Sequence, residues 1–243
     1  MKTNTSLVTQ EILKIITKDR IRTNLLRNSE QKALSILVQH IPSWVVPDLL
    51  TFIGFLGSLT VLLSFILATY FNRYFLLLSL AGFFINWFGD SLDGRLAIYR
   101  NKSRKWYGFS LDLSIDWITT IVIGLGFVIY TEGVGELIGF GFVVLYGWAM
   151  ITTLLRYKIT GEYSIDSGLL GPTEVRIIIS AILVTEVLVK DSLVWVSGLA
   201  CIILLTIDIN DLLKLLKVAT EKDEKDKNKA EVEVKVKAEK AGK

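Results

Sequence analysis

The sequence has very little cysteine, histidine or proline. Its 243 residues include one cysteine, Cys201, one histidine, His40, and three prolines. A single cysteine excludes an internal disulfide framework, and one cysteine with one histidine cannot form a Cys/His zinc site. Apolar residues, in contrast, make up 51% of the chain, and the mean hydropathy is +0.49. That is too apolar for the surface of a soluble domain, so the composition predicts an integral membrane protein.

Charge is missing from several long stretches, among them residues 49–72 and 137–155. A helix needs about 20 mostly apolar residues to cross the hydrocarbon core of a bilayer. The sequence therefore predicts an all-α membrane fold with six transmembrane helices, at 49–71, 74–98, 109–131, 137–157, 173–189 and 192–213. The fifth segment is short and contains Glu186, so a protein with five spans remains an alternative.

Basic residues alternate between the connections that join these segments. Five Lys or Arg lie between residues 95 and 105, whereas residues 132–136 contain none. Because short cytoplasmic connections carry the excess of Lys and Arg, this alternation favours six spans with both termini in the cytoplasm. We place the protein in a bacterial inner membrane.

Two polar segments flank the transmembrane region 49–213. Residues 1–48 carry apolar residues at helical spacing among basic ones, which predicts a cytoplasmic amphipathic helix and not a signal peptide. This helix either lies on the anionic inner leaflet or packs on the cytoplasmic ends of the spans. In the tail 214–243, the part from residue 217 holds nine Lys and seven Asp or Glu, so we expect a disordered cytoplasmic segment.

Four aspartates interrupt the second and third spans. Asp90 and Asp93 lie three residues apart near the end of the second, and Asp112 and Asp116 lie four apart near the start of the third. These spacings put each pair on one helix face. Because the second span descends to the cytoplasm and the third rises from it, the two pairs lie at similar depth and can present four carboxylates to one volume.

Such a group of carboxylates needs a counterion within an apolar helix pair. Carboxylate ligands without His or Cys suit a hard cation such as Mg²⁺, Mn²⁺ or Ca²⁺, and Mg²⁺ in proteins usually comes with phosphate. The basic cluster from Arg95 to Lys105, between the two pairs, supplies the positive field that a phosphate-bearing substrate needs. The same residues could instead set topology or contact lipid headgroups.

Three stretches of the chain resemble the signature of the CDP-alcohol phosphotransferase family. The main stretch runs from Asp90-Ser-Leu-Asp93-Gly94 through Ala97 to Gly108, Asp112 and Asp116, in the register of that signature. The segments 47–51 (PDLLT) and 171–176 (GPTEVR) are similar to two further family motifs. The resemblance covers residues 30–213 and implies six spans with a cytoplasmic amphipathic helix.

The family transfers a substituted phosphoryl group from a CDP-linked donor to an alcohol and releases CMP, usually as a homodimer with Mg²⁺ or Mn²⁺. By position, the resemblance implies a two-metal site whose ligands are Asp90, Asp93, Asp112 and Asp116. Asp116 would also be the general base for the attacking hydroxyl. The small residues Gly94, Ala97 and Gly108 would let the nucleotide approach the helix backbone, or would instead serve close helix packing.

Two positions depart from the family pattern. Ile98 stands where the family has an arginine. Arg95 or Arg100 would therefore have to bind the phosphate of the CDP-linked donor in its place. Asp48 replaces an asparagine in a second, lesser departure. For the acceptor phosphate, Arg176 is the best candidate in the connection between the fourth and fifth spans, which Arg156, Lys158 and Glu174 also flank.

Three functions are open from the sequence. The first is a transferase of phospholipid synthesis, with a CDP-diacylglycerol or CDP-alcohol donor, an alcohol acceptor, membrane lipids as partners and no nucleic acid. The second is an inactive relative that binds metal and nucleotide without turnover. The third is a cation transporter, which the clustering of the aspartates at one membrane face disfavours.

Overall fold

The structure, a computed structural model, describes residues 26–161 and 171–241, and in this part of the chain every regular element is helical. Residues 1–25, the first half of the predicted amphipathic segment, lie outside the described residues. The helices in chain order are α1 (Arg27–His40), α2 (Pro47–Tyr70), a 3₁₀ helix (Arg73–Leu77), α3 (Leu78–Tyr99), α4 (Lys105–Tyr130), α5 (Val134–Thr160), α6 (Pro172–Leu188) and α7 (Ser192–Ala241).

Five segments are long and apolar enough to cross a membrane. They are α2, the 3₁₀ helix with α3, α4, α5 and the part of α7 from Ser192 to Glu231. The remaining candidate, α6, has 17 residues, which corresponds to roughly 25 Å of helix. Pro172 begins it, and it packs against the 3₁₀ helix, α7 and α3. The predicted all-α fold with helices long and apolar enough to cross a membrane is confirmed for five segments. The sixth span stays a prediction.

Glycines bring α2 and α3 into backbone contact. A Cβ atom on Gly89 would lie 2.3 Å from the carbonyl oxygen of Leu50, and one on Gly57 would lie 2.4 Å from the backbone nitrogen of Asn86. Only a residue without a side chain fits at such separations. The close contact fixes the second half of α3, which carries Asp90, against the first half of α2.

The described helix of the amino-terminal segment packs on the protein. Leu34 and Val38 of α1 are buried in one apolar cluster with Leu92 and Leu96 of α3, and with Leu50 of α2. Two hydrogen bonds join the same region to α6. The backbone N–H of Leu26 donates to Glu174 (2.9 Å), and the Thr173 hydroxyl donates to Glu30 (3.0 Å). The helix α1 therefore packs on the ends of α2, α3 and α6, and its relation to a membrane surface stays a prediction.

The carboxyl-terminal tail differs from its expectation. The structure continues α7 as one helix through Ala241, where a disordered segment was predicted. Residues 217–241 contain no Gly or Pro and are rich in Lys, Glu and Ala. These residues have high helix propensity, and opposite charges four positions apart add to it. The high charge was therefore compatible with a helix that continues out of the preceding span.

The end of the bundle far from the aspartates holds one buried carboxylate. Glu186, near the end of α6, is 2% exposed. It accepts hydrogen bonds from the Tyr130 hydroxyl (3.1 Å), the Asp191 N–H (3.2 Å), the Ser192 hydroxyl (3.3 Å) and the Leu193 N–H (2.7 Å). The carboxylate thus caps the start of α7 and fastens it to α4 and α6.

Candidate metal and substrate site

Three of the four predicted metal ligands meet in space. One carboxylate oxygen from each of Asp90, Asp112 and Asp116 can be chosen so that all three lie within 4.8 Å of one another. All three residues are half-buried. The first comes from α3 and the other two from α4, one helical turn apart. Carboxylates from both helices therefore converge, as the sequence predicts.

The donor set fits a hard divalent cation. It consists of carboxylates without nitrogen or sulfur, which is the chemistry that Mg²⁺, Mn²⁺ and Ca²⁺ prefer. Three like charges at this spacing repel one another in a half-buried site, and a divalent cation removes that repulsion. The three residues can thus hold a metal ion.

Asp93 lies next to this cluster but has contacts of its own. It is 7% exposed, and the hydroxyl of Thr51 on α2 donates to its Oδ2 at 2.6 Å. The backbone N–H of Gly94 donates to its other oxygen. Thr51 belongs to the segment 47–51, which resembles a family motif. In the structure this threonine binds the carboxylate of Asp93. The role of Asp93 as a metal ligand stays a prediction.

Arg176 connects α6 to the cluster. Its Nη2 donates to Oδ2 of Asp90 at 2.5 Å, and its Nε donates to Oδ1 of Asn86 at 2.7 Å. Asn86 lies one turn before Asp90 on α3 and was not among the predicted site residues. The one available signal was an amide side chain in the apolar stretch 80–89 of α3, on the same helix face as Asp90. Spacing along α3 does not show that an arginine from α6 reaches it.

The two arginines proposed as substitutes for the family arginine at Ile98 have other partners. Arg95 is 1% exposed and donates to the carbonyl of Ser91 in its own helix. Arg100 donates to the carbonyls of Ile41 (3.0 Å) and Pro42 (2.8 Å), and also to Val45. It thereby holds the turn between α1 and α2. Contact of either arginine with the CDP-linked donor stays a prediction. To make that contact, the arginine side chain would first have to break its hydrogen bonds to these carbonyl groups.

Asp48, the second departure, has an ion-pair partner. Arg104 donates to both of its carboxylate oxygens, at 2.5 and 2.7 Å, and also lies over the ring of Tyr107 at 3.9 Å. The hydrogen bond to Asp48 raises the pKa of the Arg104 guanidinium above its ordinary value. An asparagine at position 48 would offer one neutral acceptor in place of this bidentate contact.

The three predicted small residues differ in their surroundings. Gly94 and Ala97 are half-buried on α3, while Gly108 is exposed on α4. Within the part of the chain that the structure describes, a Cβ on Gly108 would meet no atom within 4 Å. Close helix packing therefore does not explain this glycine. Gly108 shares a helix face with Asp112 and Asp116, so open space adjoins the carboxylate cluster on that side.

Of the residues near the predicted acceptor site, Arg176 alone is placed at the aspartates by a described contact. Glu174 accepts from the N–H of Gly171 (3.0 Å) in addition to that of Leu26, so it caps α6 and anchors α1. Arg156 lies 3.8 Å from a carboxylate oxygen of Asp211 on α7. These hydrogen bonds give Glu174 a structural role.

Comparison with known families agrees with this geometry. Residues 44–207 match the family model for CDP-alcohol phosphatidyltransferase, and the match includes all four predicted metal ligands and Arg176. The chain belongs to this family. It is therefore a membrane transferase of the class that moves phosphatidyl groups from CDP-alcohols in phospholipid synthesis. No curated protein matches the chain.

Proposed function

We propose that this protein transfers a substituted phosphoryl group from a CDP-linked donor to an alcohol hydroxyl and releases CMP. The reaction would take place at the cytoplasmic face of a bacterial inner membrane. The observation that carries the proposal is the convergence of Asp90, Asp112 and Asp116, with the guanidinium of Arg176 bound to the first of them. That arrangement combines ligands for a cation with a positive group for phosphate.

The cofactor in this proposal is Mg²⁺ or Mn²⁺, in a two-metal site. Asp90, Asp112 and Asp116 would hold it, with Asp93 as the fourth ligand once its carboxylate also turns toward the cluster. When bound, the cation neutralises the donor pyrophosphate and stabilises the charge that develops on CMP. The exposed face at Gly108 supports the approach of a nucleotide from that side, next to Gly94 and Ala97.

Asp116 is the proposed general base. The hydroxyl oxygen of the acceptor forms a bond to the transferred phosphorus, and the bond from that phosphorus to the CMP oxygen breaks. CMP leaves with the electron pair, and the hydroxyl proton goes to the Asp116 carboxylate. Arg176 would hold a phosphate oxygen of the acceptor or of the transferred group with guanidinium N–H groups other than the two bound to Asn86 and Asp90. We further propose a homodimer in contact with membrane lipids, with no nucleic-acid partner.

The test is CMP release by the purified protein from CDP-diacylglycerol and from CDP-alcohols, each with Mg²⁺ or Mn²⁺. We expect release by the wild type and a loss of at least about 100-fold in Asp116→Asn. Asp211→Asn is the matched control, because Asp211 is also a cytoplasmic-end aspartate but pairs with Arg156 outside the cluster. Equal release by the wild type and Asp116→Asn would contradict the proposal.

A second candidate is a relative that binds metal and nucleotide without turnover. The contacts of Arg95 and Arg100 favour it, because both guanidinium groups donate to backbone carbonyl groups of the chain itself. On this alternative, Ile98→Arg creates CMP release where the wild type has none. Release by the wild type itself rules the alternative out. A cation transporter is less compatible with carboxylates gathered at one end of the bundle.

A further inference from the structure

Asn86 occupies an unusual position between three helices. It is 4% exposed, its Nδ2 donates to the carbonyl of Gly54 on α2 at 3.0 Å, and its Oδ1 accepts from Nε of Arg176 on α6 at 2.7 Å. A carbonyl can only accept and Nε–H can only donate, so the two neighbours together fix which way the amide faces. The absence of a side chain at Gly57 allows the backbone of Asn86 to lie this close to α2.

The guanidinium of Arg176 is divided between two partners. Its Nε–H and Nη2–H are the parallel pair of donors that can bind both oxygens of one carboxylate. Here Nε donates to Asn86 and Nη2 donates to Oδ2 of Asp90. Among the described residues, Arg176 is the hydrogen-bond donor to Asp90, and it binds Oδ2 alone. The other oxygen of Asp90 is left for the carboxylate cluster.

We propose that Asn86 is a positioning residue for the metal centre, which acts by keeping Arg176 on a single oxygen of Asp90. Without Asn86, both donors of the fork can turn onto Asp90 and bind its two oxygens side by side. That geometry competes with a cation for the carboxylate. With Asn86 in place, Arg176 still offsets part of the negative charge of the cluster. It binds one oxygen of Asp90 and leaves the other available to a cation.

This inference rests on the proposed function only in treating the three aspartates as a cation site. Its readout is therefore the binding of Mn²⁺ by the full-length protein in detergent, without nucleotide, followed by electron paramagnetic resonance. Removal of a residue that orients a metal ligand commonly weakens metal binding 10- to 100-fold. We expect Asn86→Ala to raise the dissociation constant for Mn²⁺ about tenfold.

The matched control is Ser79→Ala. Ser79 is another buried polar residue of α3, and its hydroxyl donates to the carbonyl of Leu76, away from the aspartates. We expect Mn²⁺ binding in this variant to equal that of the wild type. A loss of the same size in both variants would mean that general loosening of α3 is the cause, and would overturn the proposal.

Two further variants separate positioning from a structural role. Asn86→Asp keeps an acceptor for Nε but loses the donor to Gly54, so Mn²⁺ should bind at least as tightly as in the wild type. A merely structural role predicts a loss in this variant. Arg176→Lys has no fork, so adding Asn86→Ala to it should change binding by less than about twofold. A further tenfold loss in the double variant would overturn the proposal.

Folding is checked by thermal unfolding of each variant, and Asn86→Asp decides the question if Asn86→Ala does not fold. Mn²⁺ binding by a wild type that releases no CMP would remove the proposed function while leaving this inference to be decided by the variants. A wild type that binds no Mn²⁺ would overturn the inference directly.

Discussion

The two ends of the bundle hold buried or half-buried carboxylates in opposite circumstances. At one end, Glu186 accepts four hydrogen bonds from the chain itself, all between 2.7 and 3.3 Å. At the other end, Asp90, Asp112 and Asp116 place carboxylate oxygens within 4.8 Å of one another. Donors surround the first group, whereas like charges face one another in the second.

The groups around a carboxylate in an apolar helix therefore distinguish a structural role from a role in ligand binding. An acidic side chain in a span is costly wherever it lies, so the cost alone does not distinguish the two ends. At Glu186 the helix start and the Tyr130 hydroxyl satisfy the charge. At the aspartates, Arg176 pairs with Asp90, and a divalent cation fits the three carboxylates that meet there.

The largest expected effect is on activity at the aspartate end. Asp112→Asn removes one ligand and one negative charge, so CMP release should fall at least about 100-fold. The same change relieves repulsion between like charges, so the unfolding temperature without metal should not fall. Parallel assays of CMP release and thermal unfolding check both parts. A variant that loses stability but keeps its activity would make Asp112 a structural residue like Glu186.

Glu186→Ala should have the reverse profile. It leaves the donors of Tyr130, Ser192 and Leu193 without their acceptor, which should lower the free energy of unfolding by about 3 kcal/mol. Mn²⁺ affinity should stay that of the wild type, since this carboxylate lies at the far end of the bundle. Denaturant unfolding and Mn²⁺ titration of the same preparation make the comparison. Weakened Mn²⁺ binding in a folded variant would erase the proposed distinction between the two ends.

The helix contact that supports the aspartate end can be tested with a pair of glycines. Gly57→Ala puts a methyl group 2.4 Å from the backbone of Asn86, so it should destabilise the protein by about 2 kcal/mol. Gly141→Ala is the control, because its added methyl group meets no described atom within 4 Å. That change should be neutral or slightly stabilising in a helix. Equal unfolding temperatures for the two variants would show that close α2–α3 contact is not required.

The smallest effect is expected at Asp48, which pairs with Arg104 and lies outside the aspartate cluster. Asp48→Asn removes an exposed ion pair with Arg104, and such pairs contribute about 0–1 kcal/mol. CMP release and the unfolding temperature should both stay close to those of the wild type. A loss of activity comparable to that of Asp112→Asn would place Asp48 in the site and require a wider definition of it.

Much of the fold and part of the site could be predicted from the sequence. Uncharged runs predicted the apolar helices, because few other structures satisfy the backbone within a bilayer. The spacings of Asp90 with Asp93 and of Asp112 with Asp116 predicted a shared face on each of two helices, and three of these four carboxylates meet in the structure. The first prediction depends on the composition and length of a segment and the second on residue spacing within it, and the sequence contains both directly.

What the sequence did not predict depends on contacts between elements. Spacing along α3 does not show that Arg176 of α6 reaches Asn86, or that Thr51 of α2 binds Asp93. Arg100 looked like a phosphate ligand because its charge is visible in the sequence, while the carbonyls of the turn 41–45 that accept its hydrogen bonds are not. Backbone acceptors have no signature in residue identity, so such assignments need the fold.

The most direct test of the central claim is a crystal of the protein grown with Mn²⁺ and a cytidine nucleotide, measured at the manganese absorption edge. We predict an anomalous peak between Asp90, Asp112 and Asp116, with carboxylate oxygens at about 2.0–2.2 Å from it. A difference map without a peak there, or with its strongest peak beside Glu186, would contradict the account.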